Sequence, residues 1–196
     1  MARSVTRWAA ALLAAGAAAG AALAQVESLQ RMTEQARGAA QQLLKGVGGA
    51  LQSELRRSGP ERAILVCKYS SPEVASALSR KTGWRITRVS LKPRNPSMGA
   101  PDAWEQGVLL EFDRRAAAGE KPEALEHAEI VREAQGSYFR YMKALPVREV
   151  CLACHGPAEG IAAGTRARLE AEYPFDKATG YHVGEVRGAV TIKRPL

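Results

Sequence analysis

Toward its C-terminal end the chain reads Cys151-Leu152-Ala153-Cys154-His155, and two of its only three cysteines fall inside those five residues. Two thiols at this spacing with an imidazole directly after them match one porphyrin. The sulfurs reach its two vinyl groups as thioethers, and the imidazole comes under the iron as an axial ligand. Two other uses of the pattern compete. A thioredoxin-type redox pair normally sits near a βαβ pattern early in its domain, and nothing of that kind precedes Cys151. A zinc site would gather Cys67, Cys151, Cys154 and either His155 or His182, yet no second C-x-x-C stands at zinc-ribbon spacing. Covalent haem c, one per chain, is therefore the reading taken forward, and the rest of the chain becomes its holder.

The N-terminus has the pattern of an export signal. Arg3 and Arg7 make a basic start, Trp8 to Ala24 an uncharged Ala/Leu/Gly run, and Ala22-Leu23-Ala24 a small-x-small cleavage site before Gln25. That run is short and weakly apolar against the ~20 strongly apolar residues of a membrane span, which favours cleavage over anchoring. The expected organisation is a signal peptide over 1–24, an amphipathic helix over 25–58 and a haem domain over 59–196. The expected location is the periplasm, with no membrane span after cleavage. Export permits disulfides, but three cysteines build no framework, and Cys67 is left over.

The formal net charge is +8. Its basic residues come in scattered pairs, among them Arg56-Arg57, Arg114-Arg115 and Lys193-Arg194. A nucleic-acid surface needs a continuous basic stripe with interleaved aromatics, so no nucleic-acid partner is expected. The excess reads as attraction to acidic partners and to the carboxylates of haem.

Leu29, Met32, Ala36, Ala39, Leu43, Val47, Leu51 and Leu55 recur at steps of three and four, the stripe of one long helix. The stripe serves either a core of its own domain or a homodimer seam. Gly38, Gly46 and Gly48-Gly49 offer places for a bend, and Gly59-Pro60 an end. Glu61 to Cys67 fits a strand or two helical turns equally. Ser70-Ser71-Pro72-Glu73 reads as a helix start capped by a hydroxyl, with Gly83 as its close. Trp84 to Leu91 reads as a strand with a bulge near Thr87-Arg88, followed by a rigid loop from Lys92 to Pro101 with three prolines. A helix over 102–118 buries Val108, Leu109 and Phe112. A hairpin turns at Ala134-Gln135-Gly136, a short helix covers 163–172, a turn 176–180, and a last strand 183–192. Helices around a few antiparallel strands make the fold class α+β.

A ligand opposite His155 would come from Cys67, Met98, Met142, His127 or His182. Met142 alternates within a strand as core, His127 follows a charged stretch, and His182 stands beside Tyr181 at the entry to the last strand. Cys67 follows Ile64-Leu65-Val66, which directs its sulfur inward, either as inert packing or as a thiolate ligand.

Several separated motifs now carry a resemblance. Ala63-Ile64-Leu65-Val66-Cys67, Ile86 to Pro96, Pro101-Asp102-Ala103-Trp104-Glu105, Phe139-Arg140-Tyr141 and Cys151 to Gly156 stand in the order found in the single-haem, PAS-like c-type cytochrome domain family of exported proteins and sensor receptors. The resemblance implies a PAS-like antiparallel sheet flanked by helices, haem on Cys151 and Cys154, and His155 with the Cys67 sulfur as axial ligands. It departs at Ser97-Met98-Gly99, where members tend to carry Asn, which bears on the loop's hydrogen bonding and keeps Met98 as a rival ligand. Arg88, Lys92, Arg94 and Arg140 are the cations expected at the haem carboxylates. The expected function is a redox or small-ligand sensor reporting to an unidentified redox or signalling protein, against a periplasmic electron carrier with fixed ligands. No distal His/Arg pair of a peroxidase can be picked out, so an enzyme is not expected.

Overall fold

The computed structural model describes the backbone from Val5 and the side chains from Val26 to Leu196. The export signal expected over residues 1–24 lies outside the residues described with side chains. No helix among the described residues is long and apolar enough to cross a membrane.

Four strands, β1 (Arg85–Val89), β2 (Glu126–Glu133), β3 (Gly136–Pro146) and β4 (Val186–Pro195), form one antiparallel sheet in the order β1-β4-β3-β2. Helix α1 (Val5–Leu65) and α2 (Ser71–Thr82) cover one face. Helix α4 (Ala103–Ala117) covers the other. A short α3 (Pro96–Gly99) interrupts the proline-rich loop, and α5 (Glu149–His155) and α6 (Ala163–Glu172) fill the stretch between β3 and β4. The molecule is α+β, as its element order predicts.

Period-two alternation decides which residues meet which helix. Ile86, Phe139, Tyr141, Val190 and Ile192 face α1, where Met32, Ala36, Leu43 and Val47 close over them. Val89, Met142, Ala144 and Ala189 face α4 and its Val108, Leu109 and Phe112. The face of α1 that would form a dimer seam is therefore covered by this chain's own sheet. Because both faces of β1 are buried, its apolar residues change phase without a bulge. β1 pairs with β4 residue for residue, and the irregularity expected near Thr87-Arg88 sits instead between Leu145 and Pro146.

The helical region also differs from expectation. Gly38, Gly46 and Gly48-Gly49 do not bend α1; its break is at Gly59, where φ is 74°. A Cβ on Gly46 would lie 3.2 Å from a Val74 methyl, so this glycine permits the close crossing of α1 by α2. Glu61 to Leu65 is helical, and Val66–Ser70 continues as a π-helical turn directly into α2. Ser70 consequently keeps helical angles and caps nothing, because the backbone never leaves the helical region there. At Asp102 the cap forms in full: its carboxylate accepts from the Glu105 N–H at 2.8 Å while Glu105 accepts from the Asp102 N–H at 2.9 Å.

One ion pair ties α1 to the hairpin. Arg37 donates to Glu126 through Nε (3.1 Å) and Nη2 (2.5 Å), and the Tyr141 hydroxyl donates to the same carboxylate at 2.9 Å. The bond from Arg37 is the main cause holding the Glu126 carboxyl below the usual 4.5. Its folded value lies below the unfolded one, so the tie contributes fully above about pH 4.5 and is lost as pH falls through the lowered value. The urea midpoint of the wild type is expected to fall as pH drops below this point, and that of Glu126→Gln to fall less. Parallel curves for the two proteins would contradict the assignment.

Candidate functional site

α5 is a two-turn helix, so Cys151 and Cys154 at i and i+3 lie on neighbouring positions of one side, with His155 a further step around at its end. All three cysteines are free and partly buried. Cys154 packs against Ile64, Leu169 and Tyr173, and Cys151 against Val147, Ala178 and Tyr181. Burial, ahead of any neighbouring charge, pushes the Cys154 thiol pKa up. Among the described residues no three His, Cys, Asp or Glu side chains gather as a metal cluster, so the zinc set of Cys67, Cys151, Cys154 and a histidine is not assembled.

His155 is held by the loop that follows α6. Its Nδ1 lies 2.7 Å from the Ala178 carbonyl oxygen. A carbonyl only accepts, so Nδ1 carries the proton and Nε2 is left with its lone pair. The Arg187 Nε at 3.2 Å from Nδ1 is then a close approach of two donors, not a second hydrogen bond. The loop is fixed in turn. Asp176 accepts from the Ala178 N–H at 2.7 Å, the Tyr181 N–H donates to the His155 carbonyl at 2.9 Å, and the Gly180 N–H to that of Gly156 at 2.8 Å. Burial first, then the charges of Arg187 and Arg94, keep the imidazole pKa well below 6.5, so the ring is neutral at physiological pH.

The imidazole lines a cleft, open to solvent, which also takes in Cys67, Arg88, Met98, Tyr173 and Arg187. Cys67 reaches it from the π-helical turn, an insertion that pushes one residue out of the helical ladder and is frequent at functional sites. Gly188 lets the β1 and β4 ends approach at the cleft floor: its φ is 152°, and a Cβ would fall 2.3 Å from the Val89 carbonyl oxygen.

The other expected residues separate. Arg88 lines the cleft. Arg94 also lines it, but its Nε donates to Asp176 at 2.9 Å and its Nη2 to the carbonyls of Cys154 and Ala178, so it clamps α5 to the loop. Lys92 is bound to the Thr179 carbonyl at 3.1 Å and lies over the Tyr181 ring, off the cleft wall. Arg140 must be corrected as a cofactor contact. Strand alternation turns it to the α4 face, where Asp102, Glu105 and Glu133 surround its guanidinium and Trp104 stacks on it at 4.3 Å. Met142 is buried in the α4 core. His127 is half-buried near the Trp104 ring and beside Glu129, and His182 is exposed beside Glu185. Met98 sits at the rim, 52 % exposed. The loop around it closes without the family's Asn, because Asn95 accepts from the Ser97 N–H at 3.2 Å and its carbonyl from the Gly99 N–H at 2.9 Å.

Arg187, Ala178, Asp176 and Tyr173 were not visible as site residues in the sequence. Only Asp176, two residues before Ala178 in a turn-rich stretch, carried a local signal, that of an Asx turn.

The family model described as Tll0287-like (Tll0287) matches residues 9–195. Among solved structures, the crystal structure of the cyanobacterial heme-protein Tll0287 superposes with a TM-score of 0.60 at 25% identity, covering 86% of this chain and 95% of that one. Comparison with curated proteins gives no match. Fold and matches together define an α+β domain of the kind seen in that heme-protein. The chain belongs to the Tll0287-like family.

Arg94 and Asp176 are 9% and 12% exposed, and removing one partner of such a pair leaves the other buried without compensation. Arg94→Gln is expected to lower the unfolding free energy by about 3 kcal/mol in chemical denaturation. A loss within experimental error would mean that α5 and the loop stay joined without the clamp.

Proposed function

We propose that this chain is an exported c-type haem protein, with one haem joined through Cys151 and Cys154 and axial ligation by His155 and Cys67, acting as a redox or small-ligand sensor. The observation that carries the reading is the cleft itself. A neutral imidazole with its Nδ1–H tied back and its Nε2 free shares one cavity with a free cysteine on a separate helical segment. The donor set fits haem: two partly buried thiols on one helix side can each add an S–H across a vinyl group. The neutral imidazole is the protonation state that binds iron.

When bound, the haem would supply one-electron chemistry and an exchangeable axial position. The residues would do the rest. His155 stays fixed, because Ala178, Asp176 and Arg94 determine the direction of its ring. Cys67 is the movable ligand. Its π turn lies between the break at Gly59 and the start of α2, and a π turn relaxes to α-helix by withdrawing a single residue. Held as a thiolate, Cys67 would favour the oxidised state of the group; released, it would withdraw from the cleft and carry with it the Glu61 to Leu65 segment, whose Ile64 packs against Leu169 of α6. A PAS-like role as an input module for a partner protein follows from such a movement. An electron carrier with fixed ligands is the second reading, favoured by the clamp on His155, which suits a site that changes little between oxidation states.

Protein matured in the periplasm is expected to be coloured, with an intact mass above the bare mature polypeptide by one haem. Colourless material of polypeptide mass would overturn the proposal. Cys67→Ala is expected to alter the ferric absorption spectrum, and carbon monoxide to bind the reduced wild type at neutral pH. A six-coordinate spectrum unchanged across the redox cycle, with no carbon monoxide binding, would select the electron carrier.

A further inference from the structure

The cations around the cleft are unevenly neutralised. Lys68 pairs with Glu172 at 2.5 Å and Arg94 with Asp176 at 2.9 Å, while Arg140 is enclosed by carboxylates on the far face of the sheet. Arg88 and Arg187 remain. Both line the cleft, and among the described residues neither has a carboxylate within ion-pair distance. Asp176, in the loop beside His155, is already held by Arg94 and by the Ala178 N–H.

Arg187 is also aimed. Its Nη1 donates to the Ser90 hydroxyl at 2.9 Å and to the Lys92 carbonyl at 3.2 Å, and its plane lies near the Tyr181 ring. These neutral partners fix the guanidinium's direction and leave its charge unbalanced. Its Nη2 has no acceptor among the described residues. Desolvation disfavours a charged guanidinium in such a place, a cost that an anionic ligand would offset. Two such forks along the ends of β1 and β4 match a ligand with two carboxylates better than a single point anion.

Resting on the haem reading, we infer that Arg88 and Arg187 form the anion seat of the cleft and take the two carboxylate arms of the porphyrin, in place of Arg94 and Arg140. Arg187 thereby holds positive charge beside the His155 imidazole, which favours the ferrous state. The same chemistry would accept a free small anion, so the two sources have to be separated.

The test uses the exported, haem-loaded chain as wild type, Arg88→Gln, Arg187→Gln, Arg187→Lys and the double Gln variant. Resonance Raman bands of propionate bending are expected to shift in each Gln variant. The equilibrium constant for one-electron reduction is expected to fall on the order of tenfold in Arg187→Gln and to stay near the wild type in Arg187→Lys. A coloured double variant with wild-type bands and a wild-type reduction equilibrium would overturn the inference. Millimolar inorganic phosphate added to the loaded wild type is expected to leave its spectrum unchanged, because the seat is filled. A phosphate-dependent shift would show the guanidinia free for another anion and would equally overturn it. Colourless wild type would be a failure of the haem reading itself, recognisable before any arginine is changed.

Discussion

The hydrogen bond from His155 Nδ1 to the Ala178 carbonyl organises the site. It settles which ring nitrogen carries the proton and leaves the other with its lone pair, in a residue that lines the cleft. A ring free to rotate would present either nitrogen, and its direction would be set by whatever it met. Here the direction is imposed from outside by a loop whose own shape depends on Asp176, and Asp176 is held by Arg94 from the loop after β1. Three stretches far apart in sequence therefore fix one imidazole.

The sheet makes that convergence possible. Its two buried faces separate the work: the α4 face packs a conventional core and the Arg140 carboxylate cluster, while the α1 face gives way at one end to the cleft. Gly188 is the hinge of this arrangement, since only a residue without Cβ brings β4 so near the end of β1. The helical side supplies the opposing wall. α1, the π turn and α2 run on as one helical path with a single break, so Cys67 is presented by a segment anchored at both ends yet irregular in its middle.

Much of this was legible in the residues. The α1 stripe, the α4 core positions, the hairpin turn, the 163–172 helix and the α+β class follow from periodicity and turn chemistry. The C-x-x-C-H pattern located the site, and the shared cleft brought Cys67 to it. What local pattern misread has physical causes. A strand buried on both faces mimics a bulge, which explains β1. A hydroxyl before a proline mimics a helix start, but continuous helix overrode it at Ser70. A cation expected at the carboxylates of haem meets this chain's own carboxylates at Arg140, because strand alternation sends it to the opposite face. Arg187 and Ala178 had no signal, because one acts through a direction set by tertiary contacts and the other through a backbone carbonyl.

The residues thus describe a holder with one rigid wall and one irregular wall, and the proposed sensing role places the fixed ligand on the first and the movable one on the second. X-ray absorption at the iron edge of the purified ferric protein examines that division most directly. One short thiolate sulfur beside nitrogen neighbours is expected, lost when the iron is reduced. A ferric iron with nitrogen neighbours alone, or with a longer thioether sulfur, would contradict the assignment of Cys67 as the second ligand.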